Sequence, residues 1–563
     1  MSFASVDSGS LPSGRPDRDR FDERPKSVEQ WLAQLPVADP NVTGRRILDV
    51  LEAASATKLK PEARLGHLTQ LERIVAYVVD SLRKRYHLQP LPLPSRSAQA
   101  ARLLFQLSEA MVRGYRLVLL TDPRGLFGLR RGQRARAQLG VCRHTGVVLM
   151  ECWQLYRRPP PGVWITLHGS WRVASAQRIH RRPIPALDGR RSVDDVYKQL
   201  LLTAACDPWR MPRGRVQVVH RMLGELARYA VFGEVDGKGG PAFLVNAEGD
   251  EEPCPVDAAQ GQPTENALYL QTDGLCRVLS ERRDKQLRTD RGGDDRGDDD
   301  ATTMQDMIDA LARTTSRAFD RSPQRGSVSL VFGLSRIRRV LEVASEKAAT
   351  EPVGNGSDFG ATELTWEGAE DLDDDIWEIS SQLRADAEHL VAAPVEGFSG
   401  REYGDAETEQ ERGWHLVNRS PGGYCLHCPE NSGSRARVGE IVLLSHIEGG
   451  HGGRGETAVV RWLKREGGAG MRIGVELLGT EPLPVMAAVL NPDMATTDPR
   501  ESLLLQADPD GKPDETLVVP PMQVATEYRV EVRGSTLVRE LELLEERQSS
   551  PVFRQFAFRG MGH

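Results

Sequence analysis

The chain has 563 residues, enough for about three or four domains, and carries a formal net charge of −7 with 27% charged residues. This composition is typical of a soluble protein and argues against nucleic-acid binding by the chain as a whole. No apolar run approaches the roughly 20 residues that a membrane helix needs. Residues 1–30 lack the apolar core of a signal peptide, so we expect a disordered tail, no export and a cytoplasmic location.

Residues 31–230 are predicted to form an all-α interaction domain. After Pro61, which suits a first helical turn, apolar residues recur at three- and four-residue spacing. They are Leu65, Leu68, Leu71, Val75, Val78, Val79 and Leu82. A second helix is predicted from Ser95 or Ser97, and a third after Ser192, whose hydroxyl can cap it. No catalytic constellation accompanies these helices, so binding of a protein partner is the expected role.

Arginine is dense between residues 124 and 191, with Trp153, Trp164 and Trp171 interleaved. The arginines include Arg130, Arg131, Arg134, Arg136, Arg143, Arg157, Arg158, Arg172, Arg178, Arg181 and Arg182. Basic residues mixed with aromatic ones are compatible with nucleic-acid binding. Because no known reader motif accompanies them, we favour a solvated surface or a patch for an acidic partner.

Residues 231–345 are predicted to be a small α+β middle domain. Strands are expected at 243–245, 267–270 and 327–334, with helices around Met304 and over 336–344. Residues 288–301, rich in Asp, Gly and Arg, are predicted to form a disordered loop.

The remainder of the chain is predicted to consist of a linker and two β units. Residues 346–411 form an acidic linker, and residues 412–490 form a small antiparallel barrel with Gly- and Ser-rich breaks between its strands. Residues 498–560 form a second small β domain or an extension of the first. The predicted fold class is therefore multidomain α and β: an all-α N-terminal region, a small α+β middle region, an antiparallel β-barrel and a further small β unit.

The most informative motif lies at residues 418–423, Asn-Arg-Ser-Pro-Gly-Gly, between two alternating segments at 414–417 and 424–428. Glycine has no Cβ and tolerates positive φ, so such a turn brings backbone and hydroxyl groups close to anything that lies over it. Here the chain resembles a PilZ domain, a six-stranded barrel with an (Asp/Asn)-x-Ser-x-x-Gly turn. Asn418, Ser420 and Gly423 match the fixed positions of that turn.

The resemblance implies binding of cyclic di-GMP, a bacterial second messenger, at this turn. Asn418 and Ser420 would hydrogen-bond the ligand, and Gly422 and Gly423 would let it approach. The family also has an Arg-x-x-x-Arg motif at most a few dozen residues before the turn, and no such pair lies between residues 383 and 413. Matching pairs occur almost a hundred residues upstream. The candidate arginines are Arg317, Arg321 and Arg325, with Arg412 as a further cation next to the turn.

Arginine matters here because its planar fork pairs with phosphate and stacks on a purine face. With well-placed arginines, the resemblance implies a cyclic di-GMP effector that controls surface motility, adhesion or pilus function through protein contacts. Without them, a ligand-independent scaffold or adaptor is the alternative. Nucleic-acid binding through residues 124–191 is a third hypothesis.

The sequence does not favour an enzyme. It contains neither a Gly-Lys-Ser/Thr phosphate loop nor a Gly-x-Ser-x-Gly elbow. Its seven cysteines are scattered and odd in number, which is typical of reduced thiols, and residues 425–428 lack the second cysteine pair of a zinc site. We expect no cofactor and no metal, with cyclic di-GMP as a regulatory ligand.

Overall fold

A computed structural model describes most of the chain, with gaps. The described residues are 25–87, 89, 91–123, 128–233, 242–256, 267–289, 295–312, 322–324, 326–350, 410–429, 434–446, 455–466, 470–490, 497–506, 514–522, 526–535 and 537–561. The chain divides into two compact units, Met1–Arg317 and Ala318–His563. Arg317, Arg321 and Arg325 lie outside the described residues, as do residues 351–409 of the predicted acidic linker.

The first unit is mainly helical. Its helices are α1 (Pro25–Ala33), α2 (Pro40–Ala56), α3 (Pro61–Lys84), α4 (Ser95–Leu120), α5 (Arg131–Gln154), α6 (Val163–Ala176), α7 (Val193–Ala205), α8 (Arg215–Leu226), α9 (Asp273–Thr289) and α10 (Asp295–Ala312). The predicted start of α7 is confirmed, since the Asp195 amide donates to the Ser192 hydroxyl over 3.2 Å. Helix α1 begins inside the predicted tail of residues 1–30.

Short strands complete this unit. A hairpin pairs β1 (Ile184–Ala186) with β2 (Gly189–Arg191). A four-stranded sheet has the order β3-β6-β4-β5, formed by β3 (Val231–Gly233), β4 (Ala242–Val245), β5 (Cys254–Pro255) and β6 (Leu268–Gln271). The turn after β4 packs on α6, because the Asp250 carboxylate accepts from the Ile165 amide at the start of that helix over 3.0 Å.

The predicted loop at residues 288–301 is wrong for most of its length. Helix α9 continues to Thr289 and α10 begins at Asp295, so only residues 290–294 lie outside the described part. The physical reason is that aspartates placed early in a helix interact favourably with the positive end of its dipole. The apolar residues Met304, Met307 and Leu311 then bury one face of α10.

The second unit contains one helix and twelve strands among its described residues. These are α11 (Leu334–Thr350), β7 (Ser322–Pro323), β8 (Ser327–Phe332), β9 (Glu411–Ser420), β10 (Gly423–Cys428), β11 (Ile441–His446), β12 (Glu456–Glu466), β13 (Gly470–Leu490), β14 (Arg500–Gln506), β15 (Thr516–Val519), β16 (Arg529–Arg533), β17 (Val538–Ser549) and β18 (Arg554–Gly560). All of the strand pairings are antiparallel.

Six of these strands close the predicted barrel. Their order is β8-β9-β10-β13-β12-β11, and β11 pairs back to β8. Strand β8 was predicted to lie in the middle α+β domain, but it completes this ring by pairing with both β9 and β11. Every residue from Val328 to Phe332 is buried, and successive side chains of a strand point to opposite faces. Strand β8 is therefore buried on both faces.

A second six-stranded ring follows in the order β13-β14-β15-β18-β17-β16, and β16 pairs back to β13. The 21-residue strand β13 thus belongs to both rings: residues up to Thr480 pair with β12, and Thr480–Leu490 pair with β14 and β16. The interior of the second ring is aliphatic, with Val485, Ala487, Leu517, Val530 and Phe556 among its buried residues.

Helix α11 packs where the two rings meet. Leu334 and Ile337 lie in one apolar cluster with Leu443 of the first ring and Leu505 and Phe553 of the second. The two rings and the helix therefore share a core, and the region predicted as residues 498–560 is continuous with the first barrel.

Candidate functional site

Strands β9 and β10 form a tight hairpin that presents the predicted motif. Ser420 pairs with Gly423 across a two-residue turn made by Pro421 and Gly422, and Asn418 pairs with Cys425. The Ser420 hydroxyl donates to the Gly423 carbonyl over 3.2 Å, which stabilises the turn. The four predicted turn residues Asn418, Ser420, Gly422 and Gly423 are thereby brought together at one end of the hairpin.

Glycine is required at position 423. Its φ is +154°, and a Cβ there would lie 2.0 Å from the Val475 carbonyl oxygen. Gly423 pairs with Glu476 on β13, and the Leu477 amide donates to the Gly422 carbonyl over 3.0 Å. The turn is therefore held directly against the backbone of β13.

An aromatic side chain covers the same stretch of β13. Ile473 and Val475 are buried, so the alternation of the strand directs position 474 to the opposite face. A Cβ on Gly474 would lie 1.9 Å from Trp462 Nε1, so the half-buried indole lies directly on the glycine backbone. The Trp462 ring thus covers Gly474, which lies two residues before Glu476, the pairing partner of Gly423.

The first residue after the motif is anchored by charge and hydrogen bonding. The Arg419 guanidinium lies 5.5 Å from the centre of the Tyr424 ring, within the range of a cation–π interaction. The Tyr424 hydroxyl donates to the Glu456 carboxylate over 2.7 Å. Arg419 is exposed, so it is a cation available at the hairpin surface.

The side-chain carboxamide of Asn418 makes no hydrogen bond to any residue within the described ranges, and this side chain is half-exposed. It therefore has free donor and acceptor capacity. Arg412 lies in β9, but its side chain is outside the described part of the chain.

The short strand β7 shows how a distant segment reaches the motif. Ser322 pairs with Arg419, and Pro323 pairs with Asn418. The Gln324 amide is 3.4 Å from the Val417 carbonyl. The separation of almost a hundred residues between this segment and the turn is thus closed by the fold.

The predicted arginines Arg321 and Arg325 bracket that segment in the sequence. Both lie outside the described residues, and so does Arg317. In the sequence, Arg321 immediately precedes Ser322. Ser322 in turn is one strand spacing, roughly 4.8 Å, from Arg419. Sequence reasoning missed this proximity because a two-residue strand has no detectable pattern.

A carboxylate joins the motif to the second ring. Glu476, the pairing partner of Gly423, accepts from Arg461 Nε over 2.7 Å. Its other oxygen accepts from Gln548 Nε2 over 2.8 Å. Gln548 belongs to β17 of the second ring and Arg461 to β12 of the first, so Glu476 contacts both rings.

The described residues offer neither a metal site nor a membrane-crossing helix. They contain no group of three or more His, Cys, Asp and Glu side chains placed to hold a metal ion. Within the same ranges, none of the helices has both the length and the apolar character needed to cross a bilayer.

Comparison with known families agrees with the barrel. Residues 242–484 match the family model described as the cyclic-di-GMP receptor FimW, middle PilZ domain, so the chain contains a PilZ domain. Residues 26–236 match the FimW N-terminal domain model. Over 579 aligned residues the chain is 24% identical to the cyclic-di-GMP receptor FimW of Pseudomonas aeruginosa. The alignment covers 96% of this chain and 91% of that protein. No solved structure matches.

Proposed function

We propose that this protein is a receptor for cyclic di-GMP, which binds at the β9–β10 hairpin, and that it acts as a cytoplasmic effector without catalytic activity. The observation that carries the proposal is the pairing of Ser322 and Pro323 with Arg419 and Asn418. Ser322 and Pro323 lie between Arg321 and Arg325 in the sequence, so their pairing at the turn supports a role for this Arg-x-x-x-Arg sequence in ligand binding. The similarity to a protein named as a cyclic-di-GMP receptor supports the same ligand.

The proposed roles follow from the chemistry of the ligand, which has two phosphates and two purine faces. Asn418 and Ser420 hydrogen-bond a guanine edge or a ribose, and Gly422 and Gly423 admit the ligand close to the backbone. Arg321 and Arg325 pair with phosphate and stack on bases, and Arg412 and Arg317 are further candidate cations.

The energetics require the arginines. A micromolar Kd corresponds to about −8 kcal/mol. Hydrogen bonds to charged groups contribute roughly 1.5–3 kcal/mol each, and stacking of a base contributes roughly 1–3 kcal/mol. Two arginines that both pair and stack reach that total, whereas the turn alone falls well short of it.

Calorimetric titration of the full chain with cyclic di-GMP tests this proposal. We expect micromolar binding by the wild type, and loss of at least about tenfold in affinity, or roughly 1.4 kcal/mol, for Asn418→Ala, Arg321→Ala and Arg325→Ala. Arg529→Ala is the matched control, because Arg529 is an exposed arginine on β16 of the second ring. Absence of heat from the wild type at high micromolar ligand rejects the receptor. Wild-type binding that survives all three substitutions rejects this site.

A ligand-independent adaptor is the second candidate, and one observation favours it. Gly423 is required by its contact with the Val475 carbonyl, so a barrel that binds nothing would still need this glycine. Asn418 has no such structural role among the described residues. An adaptor therefore predicts that Asn418→Ala is silent in every assay, including capture of protein partners, whereas a receptor loses its ligand.

For the output, we propose control of bacterial surface motility, adhesion or pilus function through contacts made by the helical unit. The PilZ resemblance supports this output, and residues 26–236 of the helical unit match the N-terminal domain model of the cyclic-di-GMP receptor FimW. Twitching and attachment assays on a strain carrying Asn418→Ala should reproduce those of a deletion strain if the ligand controls this output.

A further inference from the structure

Six exposed arginines lie together on the helical unit, and we name this set the arginine surface. Its members are Arg130, Arg131, Arg178, Arg181, Arg182 and Arg190. They come from the start of α5, the turn after α6 and the β1–β2 hairpin, so no single stretch of sequence contains the whole set.

Contacts among these segments show that the surface is continuous. Arg131 Nη2 donates to the Arg178 carbonyl over 3.1 Å, which joins α5 to the end of α6. A Cβ on Gly132 would lie 3.6 Å from Arg182 Nε, so that guanidinium lies against the first turn of α5. Arg190 Nη2 donates to the Pro183 carbonyl over 3.2 Å, which brings in the hairpin.

The surface carries uncompensated charge. Other arginines of the same tract pair with carboxylates: Arg134 with Asp122 at 2.7 Å, and Arg143 with Asp188 at 2.6 Å. Within the described ranges, none of the six members of the arginine surface has an ion pair with an acidic side chain. The like charges of these arginines repel one another. An anionic partner that covers them is attracted to the arginines and also relieves this repulsion.

An apolar residue lies at the tip of the hairpin that carries part of this surface. Leu187 is 48% exposed between β1 and β2, and the neighbouring Asp188 is held by Arg143. An exposed leucine beside several arginines is typical of a protein interface, where apolar contacts are surrounded by polar ones and arginine is enriched.

The tryptophans of the tract decide between two classes of partner. Trp153, Trp164 and Trp171 are only 1%, 4% and 9% exposed. Trp171 stacks on Tyr197 at a ring separation of 5.0 Å, inside the core. None of the three can offer a platform for bases, which single-stranded nucleic-acid binders use. The interleaved aromatic residues that suggested nucleic-acid binding thus serve packing.

We propose that the arginine surface is a docking site for an acidic segment of a protein partner. Carboxylates of the partner pair with the guanidinium forks, for which bidentate geometry is favourable, and an apolar side chain of the partner packs on Leu187. Because these arginines are exposed, the interaction weakens with added salt.

The test uses the full chain and a fluorescently labelled 16-residue peptide of glutamate and aspartate with leucine at its centre. We expect binding by anisotropy that falls with salt, and at least about tenfold weaker binding, or roughly 1.4 kcal/mol, by Arg181→Glu/Arg182→Glu. The matched control is Arg45→Glu/Arg46→Glu, which reverses two exposed arginines on α2. A peptide with glutamine and asparagine in place of the acids should not bind.

Leu187→Asp provides an independent variant, because its exposed position at a hairpin tip makes loss of folding a poor explanation for any effect. It should also weaken peptide binding while the far-UV circular dichroism stays unchanged. The proposal is overturned if the wild type does not bind the peptide at about 100 μM, or if the control pair weakens binding as much as the test pair. It is equally overturned if a single-stranded RNA of 16 nucleotides binds through these arginines and the peptide does not.

Discussion

Gln548 of the second ring donates a hydrogen bond over 2.8 Å to Glu476, the residue that pairs with Gly423 of the hairpin. Glu476 lies on β13, so this contact connects β13 to β17 through side chains. It adds to the backbone of β13, which already runs through both rings. Since Glu476 also accepts from Arg461, its two oxygens have partners in different rings.

Removal of this contact should loosen the junction. Gln548→Ala deletes a hydrogen bond to a half-exposed carboxylate, for which we expect a loss of about 1 kcal/mol, or about fivefold faster opening. Hydrogen exchange of the backbone amides in β13 and β17 measures this locally. Gln548→Lys, which retains a donor, should exchange as slowly as the wild type. Unchanged exchange in Gln548→Ala would show that the contact contributes nothing.

Gly423→Ala should destabilise the first ring strongly. The added methyl would meet the Val475 carbonyl oxygen at 2.0 Å, so the hairpin must move away from β13. We expect a loss of roughly 2–4 kcal/mol, as for other substitutions that introduce a steric clash with fixed backbone. Gly560→Ala is the control, because nothing lies within 4 Å of a Cβ at that position. Chemical denaturation followed by Trp fluorescence compares the two, and equal midpoints would contradict the described packing.

Tyr424→Phe should weaken the hairpin without changing its shape. It removes the hydroxyl that donates to Glu456 over 2.7 Å while it keeps the ring under Arg419. A hydrogen bond to a charged group contributes roughly 1.5–3 kcal/mol, and partial exposure of this carboxylate favours the lower end. Tyr528→Phe is the control, because the Tyr528 hydroxyl has no hydrogen-bond partner within the described ranges. Thermal unfolding should separate the two variants.

His220 should make the helical unit sensitive to acid. Burial, together with the positive charges of Arg191 and Arg83, lowers the pKa of this histidine to about 4. The neutral imidazole has Nδ1 3.0 Å from the Thr203 hydroxyl. The unfolded chain binds a proton near pH 6.5 and the folded one does not, so His220 lowers stability progressively as pH falls from about 6.5 to 4.

Replacement of that histidine gives the corresponding measurement. His220→Gln cannot titrate, so its free energy of unfolding should change less between pH 7 and pH 4 than that of the wild type. Circular dichroism at 222 nm follows the helical unit. An identical pH profile for both proteins would show that His220 is not the group responsible.

The sequence predicted what depends on local patterns. The spacing of apolar residues after Pro61 and the capping hydroxyl of Ser192 placed α3 and α7, and the turn residues Ser420 and Gly423 identified the hairpin. Each of these is decided by neighbours within a few residues, through hydrophobic periodicity, capping or turn chemistry.

What the sequence did not reveal depends on distant contacts. The two residues of β7 carry no periodic signal, yet their pairing with Asn418 and Arg419 brings a far segment to the motif. Likewise, Thr480 and Leu490 were both predicted to lie in the first barrel, yet this part of β13 pairs with β14 and β16 of the second ring. Closure of a ring depends on which strand edges meet, and this is a property of the whole sheet.

The long strand shared by the rings also bears on how this protein can be divided. The match to the PilZ family model ends at residue 484, in the middle of Gly470–Leu490. A chain cut there would lose five of the six strands of the C-terminal ring and leave apolar residues such as Leu334 and Leu443 without the neighbours that Leu505 and Phe553 provide. The C-terminal ring therefore shares a strand and a core with the first ring, and domain swaps with PilZ proteins would have to exchange both rings together.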